Sequence, residues 1–140
     1  MKKLREPKKS TRAHKVAISG SNHFTDYDLL KETIDQLYDS FLVKHNVTIE
    51  IISGADVGAE SLGECYAREK GYKLTVIPSN WIDHGSEAKQ IRNMKIAEYA
   101  DNLVVFSLGP SSGPANVSRD TANIIEVARK NNVICHIYRF

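Results

Sequence analysis

Several classes of protein are excluded by what the sequence lacks. No stretch approaches the roughly 20 consecutive apolar residues of a membrane-spanning helix, and the amino terminus has no apolar core typical of a secretory signal. The two cysteines, Cys65 and Cys135, and the five scattered histidines have no spacing that builds a metal site. These absences predict a cytoplasmic protein with no metal centre and no membrane partner.

Charge is distributed unevenly along the 140 residues. Residues 1–12 carry six basic side chains and one acidic one, whereas the net charge of the whole chain is only +2, so the remainder is mildly acidic. We expect a basic, flexible amino-terminal arm over residues 1–14 and one domain over residues 15–140. The arm is either a solvated tail or a contact for nucleic acid, because clustered lysines attract phosphates.

Strand-like and helix-like segments alternate through the rest of the chain. Buried strands are predicted at 15–19, 47–52, 74–77, 103–107 and 133–138, and amphipathic helices at 27–45, 59–70, 90–100 and 120–131. This alternation predicts an α/β, Rossmann-like three-layer fold with a mainly parallel sheet of about five strands and helices on both faces. In such folds ligands bind at the carboxyl ends of the strands.

The run IISGADVGAESLGECYAREKGY, from Ile51 to Tyr72, reads as a strand, a glycine-rich turn and a helix. Such a junction directs unpaired helix N–H groups at an anion. It has neither the Lys-Ser/Thr ending of a P-loop nor the third glycine of a dinucleotide fingerprint. Gly54 and Gly58 therefore serve either a phosphate site or only a tight turn.

Polar and glycine residues collect at the predicted carboxyl edge of the sheet. Arg92 there is either an anion ligand or a partner of Asp56, Glu60 or Glu87 on an exposed rim. Trp81 is either a base-stacking platform or a core anchor, Phe24 is a second stacking candidate, and His84 is either a turn residue or a proton carrier. The predicted ligand-binding residues are Gly20, Ser21, Asn22, Phe24, Gly54, Ala55, Gly58, Glu60, Trp81, Gly85, Arg92, Asn93, Ser118, Arg119 and Thr121.

An ordered set of motifs links these residues to a known group of proteins. They are KVAISGSNHFTDYDLL, SGADVGAESLGECYAREKG, VIPSNWIDHGSEAKQIRNMKIAEYAD, LVVFSLG and SRDTANIIEVARKNNV. Together they resemble the SLOG superfamily, named for the DNA-processing protein Smf/DprA and the Lonely Guy enzymes, and within it the YspA-like family, a domain-of-unknown-function group of bacteria and phages. The resemblance implies a Rossmann-like fold and a ligand edge lined or shaped by Gly20, Gly54, Gly58, Trp81, Gly85, Arg92, Asn93 and Thr121.

The chain departs from the pattern of these relatives at three places. Glu60 stands where the family usually has aspartate, and Asp120 stands where glycine usually precedes Thr121, so that a carboxylate would repel a phosphate there. Alignment on Thr121 with the Lonely Guy segment puts Ile124 at the position of the catalytic glutamate, and Glu126 lies two residues further on. The resemblance thus argues against that phosphoribohydrolase reaction.

Three functions follow as expectations. The first is binding of a nucleotide or nucleotide-derived molecule without turnover, as a sensor or a sequestering protein in phage or bacterial defence. The second is an enzyme that cleaves an N-glycosidic or phosphoester bond, with catalytic candidates Glu60, Asp120 and His84. The third is a single-stranded nucleic-acid-binding protein that uses the basic arm. No cofactor is required on this view, a divalent ion would arrive only with a nucleotide, and the apolar positions of the 26–45 helix predict a homo-oligomer.

Overall fold

The computed structural model describes residues 13–108 and 118–140. Its strands are β1 (Ala13–Gly20), β2 (Thr48–Ser53), β3 (Lys73–Val76), β4 (Asn102–Ser107) and β5 (Ile134–Arg139). Its helices are α1 (Tyr27–His45), α2 (Ala59–Lys70), the short α3 (Trp81–His84), α4 (Ala88–Tyr99) and α5 (Arg119–Lys130), with a 3-10 turn at Gly85–Glu87 between α3 and α4. Strands and helices therefore alternate, as the sequence predicted.

The five strands form one sheet in the order β3-β2-β1-β4-β5, and every neighbouring pair is parallel. This arrangement confirms the predicted Rossmann-like fold. Successive connections build the sheet in one direction from β1 to β3 and in the other direction from β1 to β5, so the strand order reverses between β1 and β4. A crevice at the carboxyl ends of these two strands is the usual ligand position in open parallel sheets.

Helices cover both faces of the sheet. Because successive side chains of a strand point to opposite faces, Ile18 of β1 packs in one core cluster with Leu30 of α1 and Tyr66 of α2. Ala17, its neighbour in the chain, belongs to the other cluster, which contains Ile96 of α4 and Ile124 of α5. The predicted three layers are thereby confirmed.

Local signals set the ends of the helices. The Asp26 carboxylate accepts a hydrogen bond from the Leu29 N–H at 3.0 Å and caps α1 as predicted. Gly71 ends α2 in the left-handed conformation at φ 74°, which glycine adopts without steric cost. In the part of the chain that the structure describes, no helix is both long and apolar enough to cross a membrane.

The boundary expected between the arm and the domain needs correction. The sequence predicts Ala13 and His14 in the arm, but both belong to β1, where they are paired with Thr48 and Ile49. The reason is packing, since the His14 ring lies 4.8 Å from the ring of Phe41 on α1. The rest of the predicted arm, residues 1–12, lies outside the described residues.

Candidate functional site

Arg92 lies at the centre of a buried polar cluster at the carboxyl edge. Its side chain is only 1% exposed, although sequence reasoning had considered a salt bridge on an exposed rim. The guanidinium donates to the Gly54 carbonyl at 3.0 Å and to both oxygens of the Asp120 carboxylate at 2.8 and 2.9 Å. Two of the predicted partners, Asp56 and Glu60, have carboxylate oxygens 3.4 and 3.7 Å from the guanidinium. The predicted ion pairs with Asp56 and Glu60 are therefore present, but Arg92 is buried and does not lie on an exposed rim.

Asp120 is held as a partner of this arginine. Besides its two bonds from Arg92, its carboxylate accepts a bond from the Asn93 side-chain amide at 2.8 Å. The same amide also reaches Asn123 Oδ1 at 3.0 Å. The expected repulsion between Asp120 and a phosphate is thus partly offset, because a bidentate guanidinium neutralises the carboxylate. Asn93 is only 1% exposed and has a positioning role in this geometry.

Glu60 is the most deeply buried of the catalytic candidates. It is 2% exposed, and its carboxyl accepts the Asp56 N–H at 2.9 Å and the Ser19 hydroxyl at 3.2 Å. Burial raises the pKa of Glu60 to about 7, and the charges of Asp56 and Asp120 act in the same direction, whereas Arg92 and the Asp56 N–H lower the pKa. This pKa places proton exchange by Glu60 near neutral pH, well above the usual range of a carboxyl group.

The glycine-rich junction is occupied by the protein itself. The first N–H of α2, from Ala59, donates to the Ser21 carbonyl at 3.2 Å, and the Glu60 carboxyl lies in front of the same turn. A Cβ on Gly58 would lie 2.4 Å from the Ser21 carbonyl oxygen, so this glycine allows two loops to touch. The geometry thus favours the tight-turn interpretation of Gly58 over a phosphate site at the start of α2.

The carboxylate trio has the composition of a cation site. One oxygen from each of Asp56, Glu60 and Asp120 lies within 4.8 Å of the others. However, nitrogens of the Arg92 guanidinium lie within 4.0 Å of all three carboxylates, so an organic cation already fills the role that a divalent ion would have. The trio therefore supports no metal assignment.

Substitution of Glu60 by glutamine should make stability less dependent on pH. A carboxyl whose folded-state pKa is raised stabilises the folded protein below its unfolded pKa of about 4.5 and loses that contribution as the pH rises through about 7. We expect wild type to lose on the order of 3 kcal/mol more than Glu60→Gln between pH 4.5 and pH 8. Urea unfolding at a series of pH values measures the difference, and parallel curves for the two proteins would contradict the assignment.

A separate pocket of about 250 Å³ lies at the crevice between β1 and β4. Its walls come from the loop after β1, the end of β4 and the first turn of α5. They are formed by Ser21, Asn22, His23, Ser107, Leu108, Ser118 and Thr121. Four predicted ligand residues, Ser21, Asn22, Ser118 and Thr121, are thus brought together. His23, Ser107 and Leu108 belong to the same predicted edge of the sheet but not to the predicted ligand-binding residues. Their position in the sequence could have identified them as pocket residues, because each follows or ends a strand at the switch point.

The first turn of α5 forms one wall of this switch-point pocket. The Ser118 hydroxyl accepts the Thr121 N–H at 3.0 Å and so caps the helix. Ser118 also donates to the Thr121 hydroxyl at 3.0 Å, and Thr121 is only 2% exposed. Two larger hollows, of about 510 and 590 Å³, lie at the amino edge beside His14 and at the β3 side beside Lys73, away from the predicted site residues.

Phe24 is not available to stack on a base. Its side chain is 1% exposed, and its ring stacks on Phe106 at 4.7 Å and meets Phe140 edge-on at 4.8 Å. The expectation for Phe24 is therefore wrong, because the ring completes the core beneath the edge. Trp81 has the opposite outcome, since its side chain is 55% exposed and cannot be a core anchor.

The remaining candidates lie around the edge without joining the pocket or the cluster. Ala55 is exposed and has a positive φ of 72°, and Gly85, at φ 53°, has open space around it. His84 ends α3 and is half-buried, and Arg119 is exposed at the first residue of α5. A ligand role for these four residues stays a prediction.

The structure also shows what replaces the catalytic glutamate of the Lonely Guy pattern. Ile124 is 1% exposed and packs in the core cluster between the sheet, α4 and α5. Glu126 points to solvent, where its carboxylate lies 3.4 Å from the Lys130 ammonium group. Neither residue can act in the pocket from these positions.

Comparisons with known proteins give a family and a distant structural likeness. The model of a family described as the YspA, cpYpsA-related SLOG family matches residues 14–84, just over half of the chain. No curated protein matches the chain. One similar solved structure is described as the crystal structure of a predicted subunit of tRNA methyltransferase from Methanocaldococcus jannaschii. It is 15% identical with a TM-score of 0.43, and the match covers 89% of this chain and 67% of that one.

Proposed function

Because the chain belongs to the YspA, cpYpsA-related SLOG family, we propose that it binds a nucleotide or nucleotide-derived molecule and holds it without turnover, as a sensor or sequestering protein. One observation carries the proposal. The switch-point pocket lies where open parallel sheets bind their ligands, and it contains four of the ligand residues predicted from sequence. We prefer the switch-point pocket to the two larger hollows because it lies at the carboxyl ends of β1 and β4.

The walls of the switch-point pocket suit a phosphate. The hydroxyls of Ser21, Ser107 and Thr121 can donate hydrogen bonds to it, and α5 begins at the wall, so its positive dipole end faces an anion placed there. A volume of about 250 Å³ holds a phosphate together with part of a sugar or base. Arg92 does not contribute directly in this proposal, because its guanidinium is already engaged by carboxylates and by the Gly54 carbonyl.

We propose that the ligand is not turned over because of the residue at one position of α5. The relatives that remove ribose phosphate from a nucleotide resemble this chain but place a glutamate where Ile124 packs in the core. A ligand in the pocket would therefore meet hydroxyls and amides, and these groups bind phosphates without themselves cleaving a glycosidic bond. Storage or sensing requires only such binding.

Replacement of Thr121 by valine should weaken nucleotide binding by about tenfold, because one hydrogen bond to a charged phosphate is lost in a nearly isosteric change. The assay is native mass spectrometry of the full chain with AMP, NAD, ADP-ribose and cyclic nucleotides, with the solution analysed for products. Thr33→Val is the matched control, since Thr33 is also a buried helical threonine but lies on α1. Equal affinities in the two variants, or no bound nucleotide across the panel, would overturn the proposal.

A nucleotide-cleaving enzyme is the second candidate, and one observation favours it. Glu60 is a buried carboxyl with a pKa of about 7, a value suited to a general acid or base at neutral pH. Its hydrogen bond to Ser19 at the end of β1 offers a route for the proton toward the pocket. Free base or ribose phosphate produced by wild type and lost in Glu60→Gln would establish this activity, and product formation by both proteins would exclude Glu60 from it.

A further inference from the structure

The buried cluster at the carboxyl edge has one negative charge in excess. Its carboxylates are Asp56, Glu60 and Asp120, and its cations are Arg92 and Lys89, whose ammonium group lies 3.3 Å from Asp56. Lys89 is 42% exposed, so its charge is screened by water, whereas Arg92 is 1% exposed. The formal charges of the cluster sum to zero only when one carboxyl group carries a proton.

The geometry identifies which carboxyl that is. Asp120 receives two short bonds from Arg92 and one from Asn93. Asp56 has a second cation in Lys89 and reaches solvent with a third of its side chain. Glu60 has only the longer 3.7 Å approach to Arg92, and it is 2% exposed. A proton on Glu60 would also be satisfied, because the Ser19 hydroxyl, 3.2 Å away, can accept it.

The cluster and the switch-point pocket share the first turn of α5. Asp120 belongs to the cluster, and the next residue, Thr121, lines the pocket. A dianion bound against this turn therefore adds negative charge close to carboxylates that already outnumber their buried cation. Among the residues that the structure describes, the charged groups facing Glu60 from α4, α5 and the β2–α2 loop are Arg92, Asp120 and Asp56, and all three are part of this balance.

We propose that binding of a phosphate-type dianion in the switch-point pocket is coupled to uptake of one proton by Glu60. The inference rests on the proposed function, since it concerns the same pocket. It adds a dependence of ligand affinity on pH, which the shape of the pocket alone does not predict. Affinity for the anion falls as the pH rises, because the proton that offsets its charge becomes costlier to bind. The protein thus holds its ligand more tightly in acidic conditions.

The raised pKa of Glu60 sets the window in which the coupling is visible. In the free protein it is about 7, with burial as the main cause. An added anion raises it further, so proton uptake is small below pH 6, where Glu60 is already protonated, and becomes large above pH 7. If the bound-state pKa is higher by about 1.5, the dissociation constant increases about tenfold between pH 6.5 and pH 8.5.

Sulfate is the probe of choice, because it stays dianionic throughout this range. Its binding to the full chain is measured by isothermal titration calorimetry at pH 6.5, 7.5 and 8.5, in buffers of different ionisation enthalpy. Each protein is measured with and without His23→Gln, because the His23 imidazole also lines the pocket. Glu60→Gln is compared with Glu64→Gln, a half-buried glutamate of the same helix that accepts a bond from Ser53.

The expected result is proton uptake of about half a proton or more at pH 7.5, and a tenfold loss of affinity by pH 8.5, in the parent and in Glu64→Gln. Glu60→Gln should bind sulfate with less than a twofold change over the range. Sulfate binding without proton uptake in the parent overturns the coupling but leaves the pocket assignment intact, and this measurement needs no Glu60 variant to fold. Failure of the parent to bind sulfate at any pH, together with equal nucleotide affinities of Thr121→Val and the parent, overturns both the coupling and the pocket assignment.

Discussion

Replacing Arg92 with methionine is expected to lower the free energy of unfolding by about 3–5 kcal/mol. The change removes the only buried cation of this cluster and leaves the Glu60 and Asp120 carboxyl groups without a charged partner. Methionine has a similar volume and is apolar, so the loss reports on charge and hydrogen bonding more than on volume. Urea unfolding at pH 7 measures it.

Lys89→Met is the matched control for this prediction. Lys89 also approaches Asp56, at 3.3 Å, but its side chain is 42% exposed, so the change should cost less than about 1 kcal/mol. A loss below 1 kcal/mol for Arg92→Met itself would show that the cluster does not stabilise the fold. Loss of nucleotide binding in an Arg92 variant would therefore not demonstrate a lost phosphate contact, because the variant also destabilises the structure around the site.

Replacing Gly20 with alanine should destabilise the protein by about 3 kcal/mol or more. Gly20 has a φ of 145°, and an added Cβ would lie 2.2 Å from the carbonyl oxygen of Phe106 on β4. That same oxygen accepts the Ser21 N–H at 2.8 Å, so the neighbouring backbone has no freedom to retreat. Thermal and urea unfolding both measure the effect, and the floor of the switch-point pocket should be distorted with it.

Gly71→Ala separates the clash from the cost of the backbone conformation. Gly71 is also a positive-φ glycine, at 74°, but no atom lies within 4 Å of the position of its Cβ. Only the strain of a left-handed alanine remains, about 1 kcal/mol. Similar losses in the two variants would mean that contact with β4 is not the reason for glycine at position 20.

The sequence predicted what depends on local pattern. The ends of α2 followed from Ala59 after the glycine-rich turn and from Gly71 at the far end, because capping and left-handed backbone are local properties. The parallel sheet followed from alternation of strands and helices, since a crossover between parallel strands needs a helix-length connection. The meeting of Ser21 and Thr121 in one pocket followed in turn from the shared carboxyl edge.

What the sequence did not predict depends on contacts between distant elements. Phe24 follows a strand as a ligand residue would, and only the position of Phe106 in three dimensions shows that its ring is buried. Asp120 looked like a repulsive substitution because a charge argument considered it alone. Arg92, 28 residues earlier, neutralises the Asp120 carboxylate, and such a pairing between distant residues cannot be recognised in one sequence.

The chain contains one tryptophan, Trp81, and more than half of that side chain is open to solvent beside the carboxyl edge. All indole fluorescence of the protein therefore originates at a single place, at the start of the short helix after β3. Nucleobases quench indole emission when they stack on it, while a ligand held only near β1 and β4 would leave the spectrum almost unchanged. An unlabelled sample in a fluorimeter thus reports how far along the sheet edge a bound molecule extends.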